Sequence, residues 1–473
     1  MAHFHSNALI GASGGEIAEP PGNRSIRFND GDSAYLGRTP SSAGNRRTWT
    51  WSGWFKRSEL AATNSYNAIW STGTDGNNYS TLYIDNNDRL FLQEYTSSTD
   101  FQFLAEGRLR DTAAWYHLVV TFDSTQSTAN DRMKLYLNGV QLNSTGTRVN
   151  PSQNYESMFN LTNGHSIARN HAYNNFFFSG YLTDIYFVDG TALAATSFGS
   201  FDSNGVWQRG TFSGSYGTNG FHVLDFANEA EIGDDSSGNG NDYTPNNISD
   251  TDGVGLDLLL DFPANGSETD TGAGGEVVGN YACFNPLMNR DGQNIALSNG
   301  NLDFTSSASS GQYGTRVSTI GLTSGKWYAE FTVGAVGNGI FIGITRDPDG
   351  DTNFIGAHAT SFGYLHNGQK YNNNSGSSYG ASYTANDVIG VALDLDNGQV
   401  TFFKNGSTQG VAFSSLAAGT YFFGVSGAVN AAAVGNWGQR AFSNSAPSNH
   451  KALCTTNLPT PPIVTGKIRF CKK

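Results

Sequence analysis

The chain has 473 residues, room for two or three domains that can each bury a core. Charged residues make up 14% while aromatic residues reach 13% and glycine occupies 58 positions. That composition cannot fill the faces of helical bundles or coiled coils and suits pleated sheets joined by tight turns. A net charge of −13 repels a phosphate backbone, so nucleic acid is not an expected partner.

In chain order, residues 1–23 are small and polar up to Pro20-Pro21 and read as an anchoring arm ahead of the first folded unit. The arm shows no basic run followed by an apolar core, so no secretory signal is legible and synthesis in the cytosol is expected. His3 and His5 alternate there, too few to specify a metal site. Short alternating runs follow at 49–57, 80–85, 89–95, 114–123, 133–142 and 176–190, the lengths and spacing of sandwich strands. Trp49 and Trp51 share one strand face, which predicts burial rather than a sugar-stacking platform that Trp49, Trp51 and Trp54 would otherwise suggest. Asn138-Gly139 between apolar runs predicts a two-residue hairpin turn.

From about 234 to 279 the composition shifts to Asp, Ser, Gly and Asn, the clearest boundary in the chain. One apolar run at 256–262 (LDLLLDF) is expected to pin this connector to a neighbouring surface. A second β unit follows, with strands expected at 326–333, 340–345, 388–395 and 400–404 and hairpin turns at Asn397-Gly398 and Asn405-Gly406. The expected organisation is an arm (1–23), a β-sandwich (24–245), a connector (246–280), a second β-sandwich (281–442) and a proline-containing strap (443–473). No apolar run approaches the roughly 20 residues of a membrane-spanning helix, so membrane insertion is not expected. Cys283, Cys454 and Cys471 are odd in number and widely spaced, which favours unpaired thiols, with a Cys454–Cys471 pair within the tail as the alternative.

Two resemblances rest on particular residues. The runs 115–123 (WYHLVVTFD), 135–139 (LYLNG) and 179–186 (SGYLTDIY) resemble, in that order, the laminin-G-like group of concanavalin A-like lectin/glucanase sandwiches. The runs 325–331 (GKWYAEF), 342–344 (IGI), 386–394 (NDVIGVALD), 400–406 (VTFFKNG) and 436–442 (NWGQRAF) resemble a SPRY domain, another two-sheet sandwich. Both imply an all-β fold of two antiparallel sandwiches in tandem. The pairing of these units behind a short arm, with the closing stretch 451–459 (KALCTTNLP), resembles virion proteins of tailed bacteriophages, of the tail-fibre or head-fibre type. That resemblance implies a virion location after assembly in the host cytoplasm, other virion proteins as partners, and a homo-oligomer such as a trimer. It further implies host-surface recognition of a glycan or protein, with capsid decoration lacking a receptor role as the alternative.

Concanavalin-type sandwiches include glycoside hydrolases, whose chemistry needs paired carboxylates held on a strand face. The nearest set, Glu268, Asp270 and Glu276, lies in the Gly-rich connector, where no support for a fixed geometry is expected. No Gly-x-Ser-x-Gly elbow follows a strand, and His117 and His222 sit in apolar strand patterns that predict core histidines, so no catalytic residue and no enzymatic activity are expected. No cofactor is expected. Calcium enters only through the laminin-G-like resemblance, with Asp123, Asp131, Asp234 and Asp235 as oxygen donors and ordinary turn chemistry as the competing reading. The candidate binding residues are Tyr371, Asn372, Asn373, Asn374 and Tyr379, in a predicted loop whose amides and hydroxyls between aromatic rings resemble a paratope.

Overall fold

A computed structural model describes residues 23–459 apart from 61–65, 225–231, 252, 265, 267, 289–293, 309–311 and 348–352. The arm up to residue 22, with His3 and His5, lies outside the described residues, as do Cys471 and the rest of the strap beyond 459.

Alternation writes the first unit. Along Leu90–Thr96, Leu90 and Leu92 are buried while Phe91 and Gln93 face the other way, and Leu82 and Ile84 alternate likewise with Thr81 and Tyr83. Two sheets result. The seven-stranded one runs, in spatial order, Thr244–Asn246, Tyr35–Arg38, His165–Ile167, Asn67–Asp75, Asn78–Ile84, Leu90–Thr96 and Thr99–Leu104. The eight-stranded one is centred on Trp115–Asp123, Thr48–Arg57, Gly180–Asp189 and Ser25–Phe28. Trp49 and Trp51 point inward, are fully buried, and meet Trp70 of the facing sheet at ring distances of 5.9 and 6.3 Å, as their shared face predicts. Asn138 and Gly139 take φ of 47° and 78°, the two-residue turn that the sequence signals.

The second unit pairs a seven-stranded sheet centred on Lys326–Val336 and Val388–Asp394 with a six-stranded sheet centred on Ile340–Thr345 and Phe422–Gly427. Asn405 and Gly406, at φ 47° and 76°, form the expected tight turn. Asn397 does not share that conformation; it caps a longer turn by donating from its backbone and side chain to the Asp394 carboxylate at 3.0 and 2.8 Å. All-β architecture in two antiparallel sandwiches therefore stands, with helix among the described residues confined to three-residue turns such as Ala129–Asp131.

The stretch between the units does more than connect. Leu258–Leu259 adds a strand beside Ser25–Phe28, and Leu260, Phe262, Val277 and Val278 are buried in an apolar cluster shared by both units. On the first unit's side this cluster contains Trp54, Trp115, Tyr181 and Tyr186, all on the outward face of the eight-stranded sheet. Lys56 crosses it. Its ammonium, 0% exposed, donates to Asp261 Oδ2 at 2.8 Å, Asn280 Oδ1 at 2.8 Å and the Tyr281 carbonyl at 3.0 Å, which satisfies all three of its N–H bonds. Asp261 in turn accepts from Trp115 Nε1 at 3.0 Å. The tail returns as well: Leu453 and Cys454 are buried, Lys451 pairs with Trp327, and Ala282 N–H donates to the Leu453 carbonyl at 3.0 Å. Cys283 and Cys454 are buried, and no disulfide joins them.

Candidate recognition surfaces

The segment expected as a binding loop is a hairpin. Gln369–Asn372 and Ser375–Ser378 form the outer strands of the six-stranded sheet, and Asn373 and Asn374, at φ 50° and 56°, make the two-residue turn between them. Two consecutive asparagines tolerate the left-handed region, which the loop reading overlooked. Tyr371 packs on Phe341 and Phe354 at 5.3 and 5.8 Å, and Asn372 Nδ2 donates to the Ser361 carbonyl at 2.8 Å. Tyr379 packs edge-on against Tyr364 at 5.3 Å and accepts from Phe402 N–H at 3.2 Å. Tyr371, Asn372 and Tyr379 thus fasten the hairpin to the sheet, while Asn373, Asn374 and Ser375–Ser378 are exposed.

A second surface went unnoticed in the sequence. On the outward face of the seven-stranded sheet, residues that solvent-facing alternation would make polar are aromatic: Tyr79 and Tyr83 on one strand, Phe91 and Tyr95 on the next. The segment 170–176 folds over this face, closed by a bridge between Asn170 and Asn175 and anchored where Ala68 N–H donates to the Phe176 carbonyl at 2.9 Å. Phe176 holds φ at 57°, an uncommon setting for a bulky side chain, and leaves the strand expected at 176–190 to begin only at Gly180. The rings link edge to face in a horseshoe: Tyr83 to Tyr66 at 5.5 Å, Tyr66 to Phe176 at 5.4 Å, Phe176 to Tyr173 at 5.6 Å and Tyr173 to Tyr79 at 5.5 Å.

The horseshoe surrounds a cleft of about 330 Å³ floored by Ala68 and Thr81, with Gln93 and Asn170 supplying amides. Thr81 is 1% exposed, and its Oγ1 has no hydrogen-bond partner among the described residues. Tyr79 OH donates to Gln93 Oε1 at 3.3 Å, and Tyr173, 47% exposed, donates to the Gly76 carbonyl at 3.1 Å. Burial, reinforced by Tyr173, pushes the Tyr79 hydroxyl up to about 12, and burial raises Tyr83 as well. The lining therefore carries no charge near neutral pH. Its residues come from four separated stretches, and 66 and 170–176 show no strand periodicity, so only folding brings them together.

The titratable groups weighed in the sequence fall elsewhere. His117 is buried, with burial lowering it to about 4; Trp207 Nε1–H donates to its Nδ1 at 3.0 Å, so the ring proton sits on Nε2 and is donated to Ser52 Oγ at 2.8 Å. That direction is the reverse of what a general base for Ser52 needs. His222 lies between Asp184, at 2.8 Å from Nε2, and Ser236 Oγ, at 2.9 Å from Nδ1, a trio the sequence did not reveal because it joins three distant stretches. Burial works against the charge of Asp184, but Arg209 and His222 hold its carboxyl well below the usual range. Beside Ser236, the N–H groups of Ser237 and Asn241 are engaged by the Asp235 carboxylate at 2.9 Å each rather than offered to an oxyanion. The trio ties the 233–243 turn to the bulge at Asp184.

Asp235 is thus a turn residue. Asp123 is another, accepting from Thr125 and Gln126, and Asp131 pairs with Lys134 at 2.9 Å; Asp234 precedes the Asp235 turn and is exposed. Among the described residues no three His, Cys, Asp or Glu side chains converge on a metal-sized site. The expectation that nothing steadies the connector carboxylates is corrected: Glu276 accepts from Thr271 and Gly272, and Asp270 accepts from Ala452 N–H at 2.7 Å.

Comparison with known proteins follows the same division. The model for the concanavalin A-like lectin/glucanases superfamily matches residues 29–196, and the SPRY domain model matches 326–440. Among curated proteins the chain is similar to the ATP-dependent RNA helicase Ddx1 of Drosophila melanogaster, 32% identical over 158 residues, which is 33% of this chain and 21% of that protein. Of solved structures, the human HERC1 SPRY domain is 24% identical, with a TM-score of 0.29, over 32% of this chain and 96% of that one. A heptameric SAP-like pentraxin from Limulus polyphemus is 17% identical, with a TM-score of 0.29, over 37% of this chain and 80% of that one. The chain therefore carries a concanavalin A-like domain of the laminin-G type followed by a SPRY domain.

Proposed function

We propose that the chain is a structural and adhesive protein of a phage particle, a tail fibre or related appendage that recognises the host surface by binding rather than catalysis. The observation that carries the adhesive part is the uncharged aromatic cleft, a concavity left open on a face that a sandwich would otherwise keep polar. Its lining contains no acid, base or nucleophile suited to hydrolysis near neutral pH, which favours a ligand that is held and released unchanged. The particle part rests on the order of the two domains behind an arm, together with the closing stretch 451–459. Burial of the connector and the Lys56 crossing favour an appendage that carries load as one stiff body.

Immunogold labelling of purified particles tests the location; labelled virions are expected, and unlabelled ones would sink the proposal. Adsorption competition then separates the recognition role from capsid decoration. Excess free protein blocks attachment if the protein contacts the receptor and leaves attachment unchanged if it only decorates the head.

A further inference from the structure

We infer that Lys56 and Asn280 join in an amide bond, formed without a separate enzyme, which ties a central strand of the first domain to the end of the connector 224 positions later. The inference is independent of the adhesive reading above. A side-chain amide resists amines in water, and it yields only where an amine is held against its carbonyl, a base stands ready for the proton and water is kept out. Lys56 meets these conditions together. Its buried Nζ lies 2.8 Å from Asn280 Oδ1 and 2.8 Å from Asp261 Oδ2. Trp115 and Tyr281 are buried beside it, and the Tyr181 ring centre is 5.5 Å from Nζ. A structural ion pair needs only its two charges, whereas this one holds an electrophilic carbonyl as the second ligand of the ammonium.

The reacting groups are also fixed from behind. The Asn280 backbone N–H donates to Thr455 Oγ1 at 3.0 Å and its Nδ2 to the Ala113 carbonyl at 2.7 Å, which turns the carbonyl end of the side chain toward Lys56. Trp115 Nε1 holds Asp261 by its Oδ1 at 3.0 Å and leaves Oδ2 for the ammonium. The residue after Asn280 is the bulky, buried Tyr281, which hinders its own nitrogen from closing on the same carbon.

The step balances within three side chains. One Nζ proton crosses the hydrogen bond to Asp261 Oδ2, and the freed lone pair turns to Asn280 Cγ, where the new bond to Nζ forms. Asp261 passes that proton to Nδ2 and takes a second one from Nζ; the Cγ–Nδ2 bond breaks and ammonia leaves. The third proton stays on the new amide and Asp261 ends as a neutral acid, so the site is uncharged before and after. Asn280 is half-buried, unlike Lys56 and Asp261, which gives ammonia a way out. A bond from Lys56 to Asp261 is disfavoured, because a carboxylate is a poor electrophile and the reaction would consume the base.

The full-length protein is denatured and digested, and its peptides are mapped by tandem mass spectrometry. A branched peptide joining Lys56 to Asn280, lighter by one ammonia than its two arms together, is expected in most chains. Linear peptides alone across both positions would overturn the bond, and so would a branch from Lys56 to Asp261, which is lighter by one water. Asp261→Asn keeps the shape and removes the base, so the branch should form about a hundredfold more slowly, and Asp261→Glu, which restores a carboxyl, should recover it. Formation at the wild-type rate in Asp261→Asn would overturn the role given to Asp261. Lys56→Arg, which keeps the positive charge, and Asn280→Ala, at the half-buried position, should carry no branch; a branch at the remaining partner in either variant would overturn the pairing.

Discussion

The two sheets of the first domain each turn a row of aromatic rings outward, yet the rows have different fates. Trp54, Trp115, Tyr181 and Tyr186 leave the eight-stranded sheet for a cluster shared with the connector and the SPRY domain, and each is at most 8% exposed. Tyr79 and Tyr83 leave the seven-stranded sheet, and Tyr173 reaches over it, around a cleft that nothing among the described residues fills. An outward aromatic row on a sandwich is therefore not in itself a sign of ligand binding. The first row is explained by a neighbour within the chain, and the second stays uncovered among the described residues.

This contrast can be broken by experiment, most severely at the covered sheet. Lys56→Ala should cost about 3–5 kcal/mol in urea unfolding, because it strands Asp261 as a buried carboxylate without its cation. A loss under about 1 kcal/mol would show that the two domains do not depend on this contact. Trp54→Ala should cost about 3–5 kcal/mol through the cavity it leaves between the domains. The matching change beside the open sheet, Tyr173→Ala, should alter unfolding by no more than about 0.5 kcal/mol. Equal losses at Trp54 and Tyr173 would erase the distinction between the rows.

Acid sharpens the contrast from another side. Burial lowers His117, on the covered face, to about 4, and His165, within the seven-stranded sheet, to about 3. Unfolding frees both to titrate near 6.5, so between that value and their folded pKa the unfolded chain binds more protons. Their contribution to stability is complete above about pH 6.5 and is lost as the pH falls toward 4 for His117 and toward 3 for His165. NMR titration of the imidazoles should show both values in the native protein. In Lys56→Ala, His117 should move back toward 6.5 as the interface loosens, while His165 should stay where it is. Joint movement would mean that the substitution disturbs the core as well.

How much of this was legible in the sequence depended on range. Strands such as Ile340–Thr345, and the turns at Asn138-Gly139 and Asn405-Gly406, follow from neighbours a few residues apart. The burial of Trp49 and Trp51 followed from period two. The cleft did not, because Tyr66 and Tyr173 lie outside any periodic run and Phe176 adopts a backbone setting that its residue type disfavours. The segment 371–379 reads as a loop since Asn and Ser are turn residues by preference, and only pairing to Ser361–Leu365 and within the hairpin makes most of it strand. The connector has the composition of a linker, but its one apolar run, from Leu256 to Phe262, predicts that it docks, and those residues are the ones that bury it.

The return of the tail has a consequence for synthesis. Leu453 and Cys454 complete the core in which Trp327 and Tyr281 are buried, so the SPRY domain cannot close until those residues have left the ribosome. The strands of the first domain are complete by Leu259, roughly 200 residues earlier, which at ribosomal speed is a delay of about 10–40 s. Through that interval the outward row of Trp54, Trp115 and Tyr181 has only the connector to cover it. A nascent chain in that state offers chaperones, and sibling chains on the same message, a ready apolar face.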